Sequence, residues 1–274
     1  MKLTMRVAIL TLLVSAAICG YFFAREYKTA QEEVSEYSNL QNAHTIINSP
    51  ISDSGNDDIA DKEPCETDGL PYTEVDFEAL LLINPDTVGW IAIPDTNISY
   101  PVVQTTNNTK YLSISFEGSQ SKAGTLFVNK DNNMQALDSN TIIYGHNMGA
   151  GRSDMFNSLL MYKSNGFYSS HRCIQFDTIN QNHGWWKVFA VIELDTQSSN
   201  YIYQQREFQT DAEFMRWTLT AKALSMHESD VEISPTDRIL TLSTCDRSGY
   251  GQHGRLLILA VRLRDIMSTS EEVN

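Results

Sequence analysis

The sequence predicts a mainly β protein: one closed or nearly closed eight-stranded β-barrel with peripheral helices, including a long helix before the last two strands. Three observations carry this reading. Eight short runs rich in β-branched and aromatic residues are each bounded by Gly, Pro, Asn or Asp. One segment, "TDAEFMRWTLTAKALSMHE" at 210–228, instead places Phe214, Trp217, Ala221 and Leu224 at helical spacing. The 274 residues, 42 % hydrophobic and without an internal repeat, suffice for one sizeable core plus appendages.

Residues 1–6 are a basic start, read as cytoplasmic, carrying Lys2 and Arg6. Residues 7–24 then run without a charge to Arg25 and Lys28. At about 1.5 Å per residue that run approaches the hydrocarbon thickness of a bilayer. A cleaved signal peptide competes for such a segment, but Ala17 and Cys19 make a weak cleavage site. The reading is an uncleaved single-pass anchor with everything beyond it on one side, taken as extracellular. Residues 25–72 read as an acidic stalk, helical at first and then flexible through "SPISDSGNDDIADKEPCETDG". Between Thr29 and Asp86 there are 14 Asp and Glu against the single Lys62, a solvated stretch that carries no site.

Order resumes in a catalytic domain over 73–266, with 267–274 a tail. Thr73 or Asp76 can cap a short helix whose apolar face is Phe77, Leu80 and Leu81. The strand runs follow: "GWIAIP", "ISYPVVQ", "GTLFVN", "NTIIYGH", "CIQFDT", "WWKVFAVIEL", "RILTLSTC" and "RLLILAVRL". Trp185 and Trp186 read as one outward and one inward residue of the same strand.

The formal net charge of −14 excludes a nucleic-acid partner, which needs clustered Lys and Arg. "GAG" at 149–151 lacks the lysine of a phosphate-binding loop. The four cysteines, at 19, 65, 173 and 245, form no CxxC and no Cys/His cluster, so no metal site and no cofactor are expected. A Cys65–Cys173 bridge is one pairing the count allows.

The chemistry sits at strand ends. Cys245 closes a run in which Ile239, Thr241, Ser243 and Cys245 share a face, and a glycine-rich turn follows, read as a mobile loop. His146 stands at the end of "NTIIYG", and Arg255 opens the last run on the face of Leu257 and Leu259. A thiolate is a nucleophile, a nearby cation favours it, an imidazole can protonate a leaving amine, and a guanidinium can hold a developing oxyanion. The plain alternative is a half-buried core thiol beside a surface cation. His253 rivals His146 as the base and Arg247 rivals Arg255, while His44, His171, His183 and His227 read as surface residues.

"TLSTC" with Arg255 ten positions on, and "NTIIYGHNM" upstream, resembles the sortase family of Gram-positive cell-surface transpeptidases. "DFEALLLINPDTVGWIAIPDTNISYPVVQTTNNTKYLSISFEG" is similar to the class B branch, and the likeness runs from about Asp76 to Asp265. The resemblance implies a sortase-type barrel in which Cys245 attacks the carbonyl after Thr in a C-terminal sorting signal of a surface protein. A thioacyl-enzyme would then pass to an amine of the peptidoglycan cross-bridge or its precursor. It implies His146 as acid/base, Arg255 as carbonyl clamp, and Ser243, Thr244, Asn108 and Leu112 as substrate-binding residues. A signal of the Asn-Pro type is expected, without calcium dependence. Alternatives are a pilin polymerase using a lysine acceptor, a hydrolytic cysteine endopeptidase, and a surface domain with an inert thiol. A papain-like enzyme is disfavoured, since there Cys precedes His.

Overall fold

The computed structural model describes residues 2–48, 70–149 and 151–263. Two units emerge, divided between Ala43 and His44. The first consists of helix α1 (Lys2–His44) up to that division. Its apolar side chains are exposed along the N-terminal half, as at Leu12 and Phe23. It is the one helix among the described residues that is long and apolar enough to cross a membrane, with a mean hydropathy of 2.3 over its most apolar 18-residue window.

The second unit opens with β1 (Thr45–Asn48), which pairs antiparallel with β2 (Tyr72–Val75) in a small sheet of its own. This pair had no signal in the sequence. Ile46 and Ile47 both face solvent, so no alternation marks the strand. The segment read as flexible, with Cys65, lies outside the described residues; Cys173 is disulfide-bonded. Helix α2 (Phe77–Ile83) is capped by Asp76, whose Oδ1 accepts from the Ala79 N–H at 2.9 Å, while Thr73 belongs to β2.

The barrel strands are β3 (Thr87–Ala92), β4 (Ser99–Val103), β5 (Leu126–Val128), β6 (Asn140–Gly145), β7 (Cys173–Thr178), β8 (Trp185–Asp195), β9 (Ile239–Cys245) and β10 (Gly254–Arg262). Each of the eight sequence runs overlaps one of them, with β3, β8 and β10 reaching one or two residues beyond their runs. They close in the order β10-β8-β7-β3-β4-β5-β6-β9. Pairing is parallel at β4–β5 and β6–β9 and antiparallel elsewhere. Short helix α3 (Asn165–Ser170) precedes β7.

Helix α4 (Asp211–Leu224) starts at Thr210, whose hydroxyl accepts from the Glu213 N–H, while Glu213 reaches back to the Gln209 N–H. Its buried residues Phe214, Trp217 and Ala221 pack with Ile142, Phe189, Ile192 and Leu257. Covered in this way, β9 is buried on both faces, at every position but its last, Cys245. The tryptophan pair divides as the strand period requires. Trp186 is core, and Trp185 is half-buried with its ring edge-on to Tyr72 at 6.2 Å. Two histidines read as surface residues are instead half-buried and stacked, His171 on Phe167 and His227 on Tyr168.

Candidate active site

Three strand ends meet at one mouth of the barrel, and their register is what assembles the site. Cys245 pairs with Arg255 across the antiparallel β9–β10 ladder. One step outward, the Asp246 N–H donates to the Gly254 carbonyl at 3.0 Å, which makes that the hydrogen-bonded pair. Cys245 and Arg255 therefore form the non-hydrogen-bonded pair, the closer kind, with Cα atoms about 4.5 Å apart and side chains adjacent. On the other side of β9, Tyr144 pairs with Ser243 and Gly145 with Thr244 in the parallel β6 ladder. His146 follows directly, level with Cys245. Gly145 is required there: a Cβ would lie 2.4 Å from Leu126 Cδ2 and 2.5 Å from Phe156 Cδ2.

The three side chains line one cleft of about 230 Å³. Asn108, Leu112, Ser243 and Thr244, all expected from the sequence, line it too. Among the described residues His253 does not line it, and the Arg247 side chain lies outside the described residues. His253 ends the turn after β9, where its backbone carbonyl accepts from the N–H and hydroxyl of Thr196 at 3.1 Å. The turn itself is not a plain loop. Asp246 caps a short helix, α5 (Arg247–Tyr250), and a 3-10 turn over Gly251–His253 leads into β10. Gly254 allows this closure, since a Cβ there would lie 1.8 Å from the Asp246 carbonyl oxygen.

His146 Nε2 lies 2.8 Å from the Leu112 carbonyl oxygen. A carbonyl only accepts, so Nε2 carries hydrogen, and in the neutral ring the lone pair is on Nδ1. Arg255 is held by two backbone carbonyls on Nη1, Gly254 at 2.8 Å and Gln252 at 3.2 Å. Its Nε–H and Nη2 hydrogens remain to serve the cleft. Thr244 donates its hydroxyl to the Gly145 carbonyl at 2.8 Å, and Asn108 Oδ1 accepts from the Lys130 N–H at 2.7 Å. Both polar groups are therefore engaged within the protein.

Among the described residues the cleft has five further lining residues that the sequence reading did not name: Phe127, Tyr144, Gly145, Tyr203 and Gln204. Tyr144 had a signal, standing two residues before His146 on the same strand face. Tyr203 and Gln204 come from the irregular segment between β8 and α4, which has no periodicity to read. Burial pushes the Tyr203 phenol up, against the pull of its Ser243 hydrogen bond and of Arg255. Burial likewise pushes Tyr144 up, and its oxygen accepts from Asn129 Nδ2 at 3.0 Å and Gln204 Nε2 at 3.2 Å.

Next to Cys245 lies a charged cluster. Asp246 is only 2 % exposed. Its Oδ1 accepts from the Ser248 N–H at 3.0 Å and hydroxyl at 2.6 Å, and its Oδ2 faces the Lys163 ammonium. Lys163 also pairs with Glu193 at 3.0 Å. Burial alone would raise the Asp246 carboxyl, but Lys163 and Ser248 outweigh it and hold the group below its ordinary value.

A thiol, an imidazole and a clamped guanidinium at the open end of an eight-stranded barrel are the groups that thiol acyl transfer can use. The Sortase domain family matches residues 91–263 of this chain. Sortase B of Staphylococcus aureus is 30 % identical over 262 residues, covering 95 % of this chain and 97 % of that one. Sortase B of Listeria monocytogenes is 36 % identical over 176 residues, covering 64 % and 69 %. Among solved structures, a Staphylococcus aureus sortase B–substrate complex superposes with a TM-score of 0.63 at 34 % identity, covering 69 % of this chain and 85 % of that one. Sortase B of Bacillus anthracis superposes at 0.68 with 28 % identity, covering 87 % and 99 %. The chain belongs to the sortase family, in its class B branch. It is a cysteine transpeptidase of a family that acts on sorting-signal substrates and a cell-wall amine, and its N-terminal apolar helix is consistent with membrane anchoring.

Proposed function

We propose that Cys245, His146 and Arg255 carry the transpeptidation and that Asn108, Leu112, Ser243 and Thr244 form the groove for the sorting signal. The observation that supports this best is the register: Cys245 is paired with Arg255 on one side and level with His146 on the other. The Cys245 thiol passes its proton to His146 as its sulfur attacks the carbonyl after the signal's Thr. The C–N bond breaks, and His146 gives the departing amine its proton. Charge on the carbonyl oxygen during attack is met by the guanidinium hydrogens of Arg255 that the backbone carbonyls leave over. An acceptor amine then attacks the thioester, His146 takes its proton, the C–S bond breaks and the thiol is restored. No metal or cofactor takes part in these steps.

The stretch over residues 7–24 of α1 is the membrane anchor in this reading, holding the catalytic domain on the outer face as a single-pass protein. The acceptor is a peptidoglycan cross-bridge or precursor amine, and the signal is of the Asn-Pro type. The test uses the full chain in detergent micelles with a library of quenched sorting-signal peptides, with and without glycine oligomers, diaminopimelate-type amines or a lysine peptide. Cleavage that requires all three residues, with product joined to a cell-wall-type amine, is the expected result. Product joined only to the lysine peptide would reassign the chain to pilin assembly. Water as the sole acceptor would make it a hydrolase.

A further inference from the structure

Where the His146 end of β6 meets the Cys245 end of β9, two side-chain hydrogen bonds cross between the two segments, and they run in opposite directions. The residue before the cysteine, Thr244, donates its hydroxyl to the carbonyl of the residue before the histidine, Gly145, at 2.8 Å. The residue after the histidine, Asn147, donates its side-chain amide to the carbonyl of the cysteine itself, at 2.8 Å. We propose that Asn147 is a positioning residue for the acyl transfer, and that with Thr244 it forms a reciprocal clasp setting His146 against Cys245. This rests on the assignment of His146 and Cys245 above.

The orientation of the Asn147 amide follows from its surroundings. Its Oδ1 accepts from the Gly149 N–H at 2.9 Å, so Nδ2 must face Cys245. A flipped amide would set oxygen against oxygen at one end and hydrogen against hydrogen at the other. The Cys245 carbonyl needs such a donor. In the non-hydrogen-bonded pair with Arg255 it points away from β10, toward β6. The β6 strand ends at Gly145, just before backbone pairing would reach this level. Asn147 completes the ladder with a side chain where the backbone stops.

The far side of the His146 loop is fixed as well. The Phe156 N–H donates to the His146 carbonyl at 3.0 Å, and Asn147 bridges to Met155. Met155 is fully buried at φ 53°, a left-handed backbone that a non-glycine residue adopts only under constraint. Its N–H donates to the Tyr100 hydroxyl at 3.1 Å. The loop is thus seated from behind, and the clasp is what ties it to the nucleophile. Asn147 itself does not line the cleft, so it acts through the two residues it joins.

The test compares wild type with Asn147→Asp, which keeps the shape and the Gly149 bond but loses the donor, and with Asn147→Ala. All are full chains in micelles, assayed with a sorting-signal peptide that the wild type cleaves and with iodoacetamide alkylation of Cys245 across pH. A misplacement approaching 1 Å costs up to about a hundredfold in rate. The expected result is a roughly ten- to hundredfold fall in kcat with KM within about twofold. The pH dependence of Cys245 alkylation should shift as well, since His146 no longer sits at its fixed distance. Wild-type kcat in both variants would overturn the proposal. So would a fall in kcat that follows melting temperature while the alkylation profile stays unchanged, because that is what a merely structural role produces. Thr244→Val probes the clasp from the other strand if both Asn147 variants lower the folded fraction. Turnover that survives Cys245→Ala or His146→Ala would instead refute the catalytic assignment itself.

Discussion

Replacing Lys163 with methionine should destabilise the barrel mouth, in a way that depends on pH. The substitution keeps an apolar stem and removes the cation that faces Asp246 Oδ2, an oxygen that among the described residues has no other partner. Breaking a buried pair by removing one partner costs about 3–5 kcal/mol. Here Asp246 keeps both Ser248 bonds, and the Lys163 side chain is 26 % exposed, so the expected cost is nearer 2–3 kcal/mol. That corresponds to a fall in Tm of roughly 4–12 °C for a chain of this size.

The pH dependence distinguishes this cause from general damage. The folded Asp246 carboxyl lies below its ordinary value of 3.8, so folded protein binds fewer protons than unfolded there. Its stabilisation is complete above that ordinary value and is lost as pH falls through the lower, folded one. Without Lys163, burial is less opposed, the folded pKa rises, and Asp246 protonates earlier. The difference between wild type and Lys163→Met should therefore be large at neutral pH and shrink in acid, once the carboxyl is neutral in both. Thermal unfolding of the full chains in micelles, followed by tryptophan fluorescence across pH, measures this. A Tm within about 1 °C of wild type, or a deficit equal at neutral and acid pH, would refute the reasoning.

Further changes test the local geometry. Arg255→Lys keeps the charge but loses the planar fork held by Gly254 and Gln252, and kcat for a cleaved peptide should fall roughly a hundredfold or more. Gly254→Ala sets a Cβ into the Asp246 carbonyl, so steady-state assays should show lost turnover and calorimetry a lowered Tm. Gly145→Ala forces Leu126 and Phe156 aside and should destabilise by about 1–3 kcal/mol in urea unfolding, with a further loss of kcat as His146 shifts.

The eight strands and the helix before the last two were legible because each run is local: a β-branched core segment between turn residues announces itself without its partners. The candidate site residues were legible for a related reason. Cys245, His146 and Arg255 each stand where an apolar run meets a turn. What a linear pattern cannot carry is register. Nothing in "RLLILAVRL" says that Arg255 pairs with Cys245 and not with its neighbours, and this pairing is what makes the two adjacent. Tyr203 and Gln204 escaped because they reach the cleft from an irregular segment whose path is set by α4 packing. The short helix inside the glycine-rich turn was not legible because its cap, Asp246, is held by a lysine more than eighty positions earlier.

The central claim is that Cys245 accepts the acyl group of a sorting signal, and peptide-level mass spectrometry tests it most directly. Full-length chain in micelles is mixed with a cleavable signal peptide in the absence of an amine, quenched in acid and digested. The account predicts a mass increase equal to the acyl fragment ending in Thr, located on the peptide containing Cys245 and discharged when amine is added. A peptide cleaved at full rate with no adduct on Cys245, or an adduct carried by another residue, would contradict it.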